Sequence, residues 1–271
     1  MRKILVDKSF IDGSKAATVR ELCSAYHVLM TEELFFELIT TDEEKRRRAF
    51  CKLPDIGNPV SLIPNIGTLL RFEKETGGPC APPLRRNRIE ESFQFNSRLR
   101  DGTFKFDGEY AEELKRFRKD VEKRTRGFIE RCFVVHKFCP EMTDIKISDL
   151  PIALAEARSS MTTDSNRVRE IYRRLTANHR DQQLPRPEQI DPSWAWFRWV
   201  QVQIVAALRI FVRYQGRMPS SDNERFWTIA EHTMLDSYYV LFGTLCGGLA
   251  SRDDEIKEDF KLLRPDGLLL S

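Results

Sequence analysis

Several chemistries are missing from this chain. It carries no Gly-x4-Gly-Lys-Ser/Thr and no Gly-x-Gly-x-x-Gly stretch, so nothing argues for a nucleotide cofactor. Its six cysteines (23, 51, 80, 132, 139 and 246) form no Cys-x-x-Cys pair. The nearest approach to a zinc pattern is Cys132-x3-His136-x2-Cys139 with Cys80 upstream, which has unfamiliar spacing. Cys132 also falls on the apolar stripe of an expected helix, so the cysteines read as small buried apolar residues of a reducing compartment. Histidine is scarce, at four residues. Long apolar runs are missing too. Arg2 and Lys3 precede only a short apolar stretch before Asp7, which argues against a secretory signal. The longest apolar segment, Trp194 to Tyr214, contains Arg198, Gln201, Gln203, Arg209 and Arg213, which are costly at bilayer depth. It reads as a core helix, with no membrane partner and a cytoplasmic location expected.

Charge of one sign is also lacking. Lys and Arg exceed Asp and Glu by only 44 to 41 over 271 residues, so net charge implies no nucleic-acid partner. Local basic runs do exist: Lys45-Arg46-Arg47-Arg48, Arg85-Arg86-Asn87-Arg88 and Lys115-Arg116-Phe117-Arg118-Lys119. Each reads first as a solvated helix face, although a phosphate backbone could use one as a track. An apolar share of 41% with 31% charged residues is that of a globular protein, long enough for one large domain or two ordinary ones.

The N-terminal stretch alternates strand and helix. Strands are expected at 3–7 and 27–31 and helices around 15–26 and from Glu32, an order that implies a parallel sheet with right-handed crossovers. The C-terminal end resumes this grammar. One helix carries Phe226, Trp227, Ala230 and Met234, a second begins near Asp236, a strand covers Leu249-Ala250-Ser251, and a last helix and strand finish at Leu268–Leu270. Between them, from about 105 to 216, the period is helical. Tyr110, Leu114, Phe117, Val121, Phe128, Cys132 and Val135 share one face, Arg167 to Ala177 is a basic helix, and Trp194, Trp196 and Trp199 open an apolar one as core residues. Gly77–Pro83 and Gly216–Ser221 read as linkers. Residues 1–77 and 217–271 therefore form two halves of one α/β domain, and 78–216 a helical insertion.

Carboxylates recur where strands end. Asp7 follows Ile4-Leu5-Val6, at the edge where open parallel sheets bind ligands. Its bland reading is a helix N-cap. Glu37 shares a helix with Glu32 and Glu33, and a charged face explains all three. Asp236 is flanked by Met234, Leu235, Tyr238, Tyr239 and Val240, and a carboxylate in such surroundings usually has a partner or a metal. Asp253 and Asp254 lie just past the expected strand at 249–251.

In this order the motifs resemble those of the PIN-domain nuclease family. Val6-Asp7-Lys8-Ser9 resembles its strand-Asp-x-Ser/Thr opening, and Thr31 followed by Glu37 its second motif. Asp236 and then Ser251-Arg252-Asp253 resemble its third and fourth. The resemblance covers roughly 1–45 and 222–271. It implies a three-layer α/β/α domain around a central parallel sheet, interrupted here by the helical insertion. It also implies a metal-dependent nuclease in which Asp7, Glu37, Asp236 and Asp253 hold Mg²⁺ or Mn²⁺, acidifying a water that attacks phosphorus. Ser9, Ser251, Asp254 and His232 are its expected supporting or substrate-contacting residues, and Glu33 competes with Glu37 in the second motif. RNA is favoured over DNA. A toxin-like or antiviral effector role, a protein regulator such as an antitoxin, and a homo-oligomer are compatible with it. The alternative is a non-catalytic PIN-like module that binds a protein or RNA through the insertion.

Overall fold

A computed structural model describes residues 1–80, 96–105, 107–177 and 184–271. The basic run at 85–88 and the end of the first linker lie outside the described residues. Five strands, β1 (Lys3–Val6), β2 (His27–Thr31), β3 (Ser61–Ile63), β4 (Gly248–Ala250) and β5 (Leu268–Leu270), form one sheet in the order β3-β2-β1-β4-β5. Every pairing is parallel, with Ile4 opposite Val28, Leu29 opposite Ser61, Leu5 opposite Leu249 and Leu249 opposite Leu269. Ile4, Leu5, Val28, Leu29 and Leu249 are all buried, as strands covered on both faces require.

The strand order reverses between β1 and β4. Right-handed crossovers then send the early helices to one face and the late ones to the other. On the first face are α1 (Lys8–Gly13), α2 (Ala16–Ala25), α3 (Glu32–Thr40) and α4 (Glu43–Lys52), with α4 packed on the other three. On the second, α11 (Glu224–Cys246) lies across β1 and β4, with α12 (Asp254–Leu263) beside it. The result is a three-layer α/β/α domain carrying a helical insertion. Asp236 does not begin a helix as expected, because α11 runs unbroken through it. Asn223 supplies the N-cap, accepting from the Phe226 amide at 3.0 Å, and no proline interrupts the chain before Gly247 adopts a left-handed φ of 80°.

The remaining helices are α5 (Ile66–Thr76), α6 (Ser97–Asp101), α7 (Gly108–Val134), α8 (Leu150–Thr163), α9 (Ser165–Thr176) and α10 (Ala195–Arg213). They share one continuous core with the sheet domain, and α10 packs against α11, α7, α8, α9 and α5. Among the described residues α10 is the one helix long and apolar enough to cross a membrane. However, 78% of that window is buried inside the protein, which makes it a core helix. Its buried Arg198, Gln201 and Gln203 are all hydrogen-bonded. Arg198 donates to the carbonyls of Pro192 and Leu263 at 2.9 Å each, and Gln201 to that of Met161 at 2.5 Å. Burial pulls the Arg198 guanidinium down to about 10.

Glu73 ties the insertion to the domain. From α5 its carboxylate accepts from the backbone amides of Cys80, Ala195 and Trp196 at 3.0, 2.6 and 3.0 Å. Trp194, the N-cap of α10, supplies no side-chain cap, so a residue 122 positions away satisfies the orphan amides. Cys80, Cys132 and Cys139 are buried as expected, but Cys51 is exposed.

Candidate active site

The loops at the carboxyl ends of β1 and β4 adjoin each other at the reversal point. There Asp7 and Asp253 cap α1 and α12, accepting from the amides of Phe10 at 2.8 Å and Ile256 at 3.0 Å. The bland reading of both aspartates is therefore correct as far as it goes. Each also lines a cavity of about 260 Å³, together with Glu37 from α3 and Asp236 from α11. Lys8, Ser9, Asp12, His232, Tyr239 and Ile256 complete the wall. Four carboxylates expected from the sequence thus reach one pocket from both ends of the chain.

Asp7 is the most constrained. It is fully buried, and its Oδ2 accepts from the Ser251 hydroxyl at 2.6 Å. The Ser9 hydroxyl lies 3.0 and 2.9 Å from its two oxygens. Burial raises the Asp7 pKa, an effect that the hydrogen bonds from Ser251, Phe10 and Ser9 oppose. The two serines also bind the next turn. Ser9 Oγ accepts from the amides of Arg252 and Asp253 at 2.9 and 3.0 Å, and Ser251 Oγ from that of Asp253 at 3.1 Å.

Asp236 is the least satisfied. Among the described residues none donates a hydrogen bond to its carboxylate. Burial, then the like charges of Glu37, Asp253 and Asp7, hold its pKa well above the usual carboxylate range, with the charge of Arg209 opposing.

Glu37 is held by both oxygens. The buried Tyr239 hydroxyl donates to Oε2, and Lys8 Nζ stands 3.6 Å from Oε1. Tyr239 is itself pushed well above the ordinary phenol range, first by burial and then by Glu37, so it remains a donor. Glu33 turns elsewhere. It is fully buried and takes a hydrogen bond of 2.9 Å from Arg124 on α7. Of the two glutamates, Glu37 is therefore the one at the pocket wall.

Asp254 departs from expectation. It points to solvent, pairs with Lys257 at 2.6 Å, and is not part of the wall. His232 does line the pocket, from an exposed position one turn before Asp236. The sequence reading missed Lys8, Asp12, Tyr239 and Ile256. Only Lys8 carried a signal, as the middle residue of Asp7-Lys8-Ser9.

The donor set is all oxygen, strongly acidic and incompletely paired, which suits a hard divalent cation better than a softer ion. Among the described residues no three His, Cys, Asp or Glu side chains are gathered into a ready ion-holding group. Asp7 faces its serines, and Glu37 faces Tyr239 and Lys8. The basic helix α9 borders a cavity of its own, about 450 Å³, lined by Asn166, Arg169, Glu170, Arg173 and Glu188. Its charges are matched there, because Arg173 and Arg174 pair with Glu170, and Arg173 also with Glu188.

No protein-family model matches the chain, and no significant match was found among curated proteins or solved structures.

Proposed function

We propose that this protein is a PIN-like, divalent-metal-dependent phosphodiester hydrolase, a nuclease with RNA favoured as substrate. One observation carries the reading: Asp7, Glu37, Asp236 and Asp253, from both ends of the chain, line one pocket where the strand order reverses. Mg²⁺ or Mn²⁺ is the fitting ion. When bound it supplies an acidified water and neutralises charge on phosphate oxygens.

The protein's own groups have separable tasks. Ser9 and Ser251 fix the Asp7 carboxylate and the Asp253 backbone in one network, so the two strand ends move together. Tyr239 orients Glu37. Asp236 stays unpaired and so has an oxygen to offer, while Ile256 covers one side of the cavity. His232, at the exposed wall, is available to a substrate phosphate or base.

A cytoplasmic location, a toxin-like or antiviral role, an antitoxin-like regulator and self-association belong to the same proposal and rest on the family resemblance alone. The test is cleavage of labelled RNA and DNA with Mn²⁺, Mg²⁺ or EDTA, where ion-dependent cutting is expected and its absence with every ion overturns the reading. A non-catalytic PIN-like module is the second reading. It is favoured by the lack, among the described residues, of a preassembled three-ligand group, and it requires that no divalent ion bind the pocket.

A further inference from the structure

Lys8 is an unexpected residue to find in this place. As the first residue of α1 it sets a cation against the positive end of the helix dipole, where an anion is favoured. Its side chain is 40% exposed and free to extend into water. It nevertheless lines the acidic pocket, with Nζ 3.6 Å from Glu37 Oε1. The neighbouring cations are committed to the end of α1. Lys52 Nζ donates to the carbonyls of Ile11 and Asp12 at 2.6 and 2.7 Å, and Arg252 donates to that of Gly13. Among the described residues Lys8 is thus the permanent cation on the pocket wall, which it shares with five carboxylates counting Asp12.

We propose that Lys8 is the built-in counter-cation of the metal-free pocket, displaced from Glu37 when a divalent ion enters and then available to a substrate phosphate. This rests on the metal-dependent nuclease reading. An incoming ion needs the oxygen that Lys8 now attracts, so the two cations compete for Glu37. Once two positive charges occupy the pocket, its pull on Lys8 falls. The flexible four-carbon stem can then carry the ammonium toward the open side. There it offsets the repulsion a polyanion meets at an acidic mouth. Ion uptake therefore precedes and promotes strand binding.

The experiment compares wild type, Lys8→Met and Lys8→Arg. Mn²⁺ affinity is measured by calorimetry, and KM for a labelled single-stranded RNA at several salt concentrations. In Lys8→Met, Mn²⁺ is expected to bind about fivefold more tightly, the size of effect one partly exposed ion pair can exert. KM is expected to rise about tenfold, and the slope of its logarithm against log salt to fall by about 0.7, one phosphate contact on a single strand. Lys8→Arg should stay near wild type in KM. Should the methionine protein not fold, Lys8→Gln carries the same expectations. Unchanged or weakened Mn²⁺ binding in a folded Lys8 variant overturns the proposal while leaving the nuclease reading intact. Tighter Mn²⁺ binding with an unchanged KM overturns the phosphate role. A wild-type protein that binds no Mn²⁺ overturns both the proposal and the reading beneath it.

Discussion

The Ser251 hydroxyl donates to Asp7 Oδ2 at 2.6 Å, joining residues 244 positions apart. This bond spans the one place where the sheet order reverses, and it locks the end of β4 to the end of β1. It also makes one unit of two motifs that the sequence presents separately. Ser251→Ala is expected to leave the strands paired and to loosen the Asp7 carboxylate. Cleavage should fall by one to two orders of magnitude, while thermal unfolding shifts by only a few degrees. An unaltered rate would mean that Asp7 needs no such orientation.

Asp236 gives a stability prediction with a definite sign. Its folded-state pKa is raised, so its contribution is fully present below the ordinary aspartate value and is lost as pH rises through the elevated one. Asp7 acts in the same direction. Asp236→Asn, which removes that repulsion, should raise the melting temperature of the metal-free protein at neutral pH. The gain should shrink on acidification. A lower melting temperature at pH 7 would contradict the account of the pocket.

Glu33 and Glu37 lie one turn apart on α3 but should respond oppositely. Glu33→Ala leaves the largely buried Arg124 without its buried carboxylate, at an expected cost of about 3 kcal/mol. Glu37→Ala should cost far less stability and remove cleavage. Paired denaturation and activity measurements decide, and the reverse pattern would assign the second motif to Glu33.

Glu73→Ala strips three backbone amides of their acceptor, two of them at the start of α10. A loss of about 3 kcal/mol or more is expected in chemical denaturation. Activity per folded molecule should be unchanged, because Glu73 is not part of the pocket wall.

The parts of this molecule legible in the sequence are those fixed locally. β1, β2 and β5 are short apolar runs bounded by polar residues. Asp7 and Asp253 were visible because a carboxylate that ends a strand and caps the next helix has a local signature. β3 was not legible: it is three residues long and lies between Pro59 and Pro64, which mask a strand pattern. α11 read as two helices, the second beginning near Asp236, whereas the surrounding core keeps the helix continuous. The choice between Glu33 and Glu37 rests on Arg124, 91 residues downstream, and Tyr239 becomes part of the site only because α3 packs near α11. Glu73 as the cap of α10 is equally a product of tertiary structure.

The most direct test of the central claim is Mn²⁺ binding and RNA cleavage by wild type and Asp7→Asn/Asp236→Asn, side by side, with and without EDTA. The expected result is Mn²⁺ binding and EDTA-sensitive cleavage by the wild type, and neither from a double variant that remains folded and melts no lower. EDTA-sensitive cleavage retained by the purified double variant would contradict the assignment of the site.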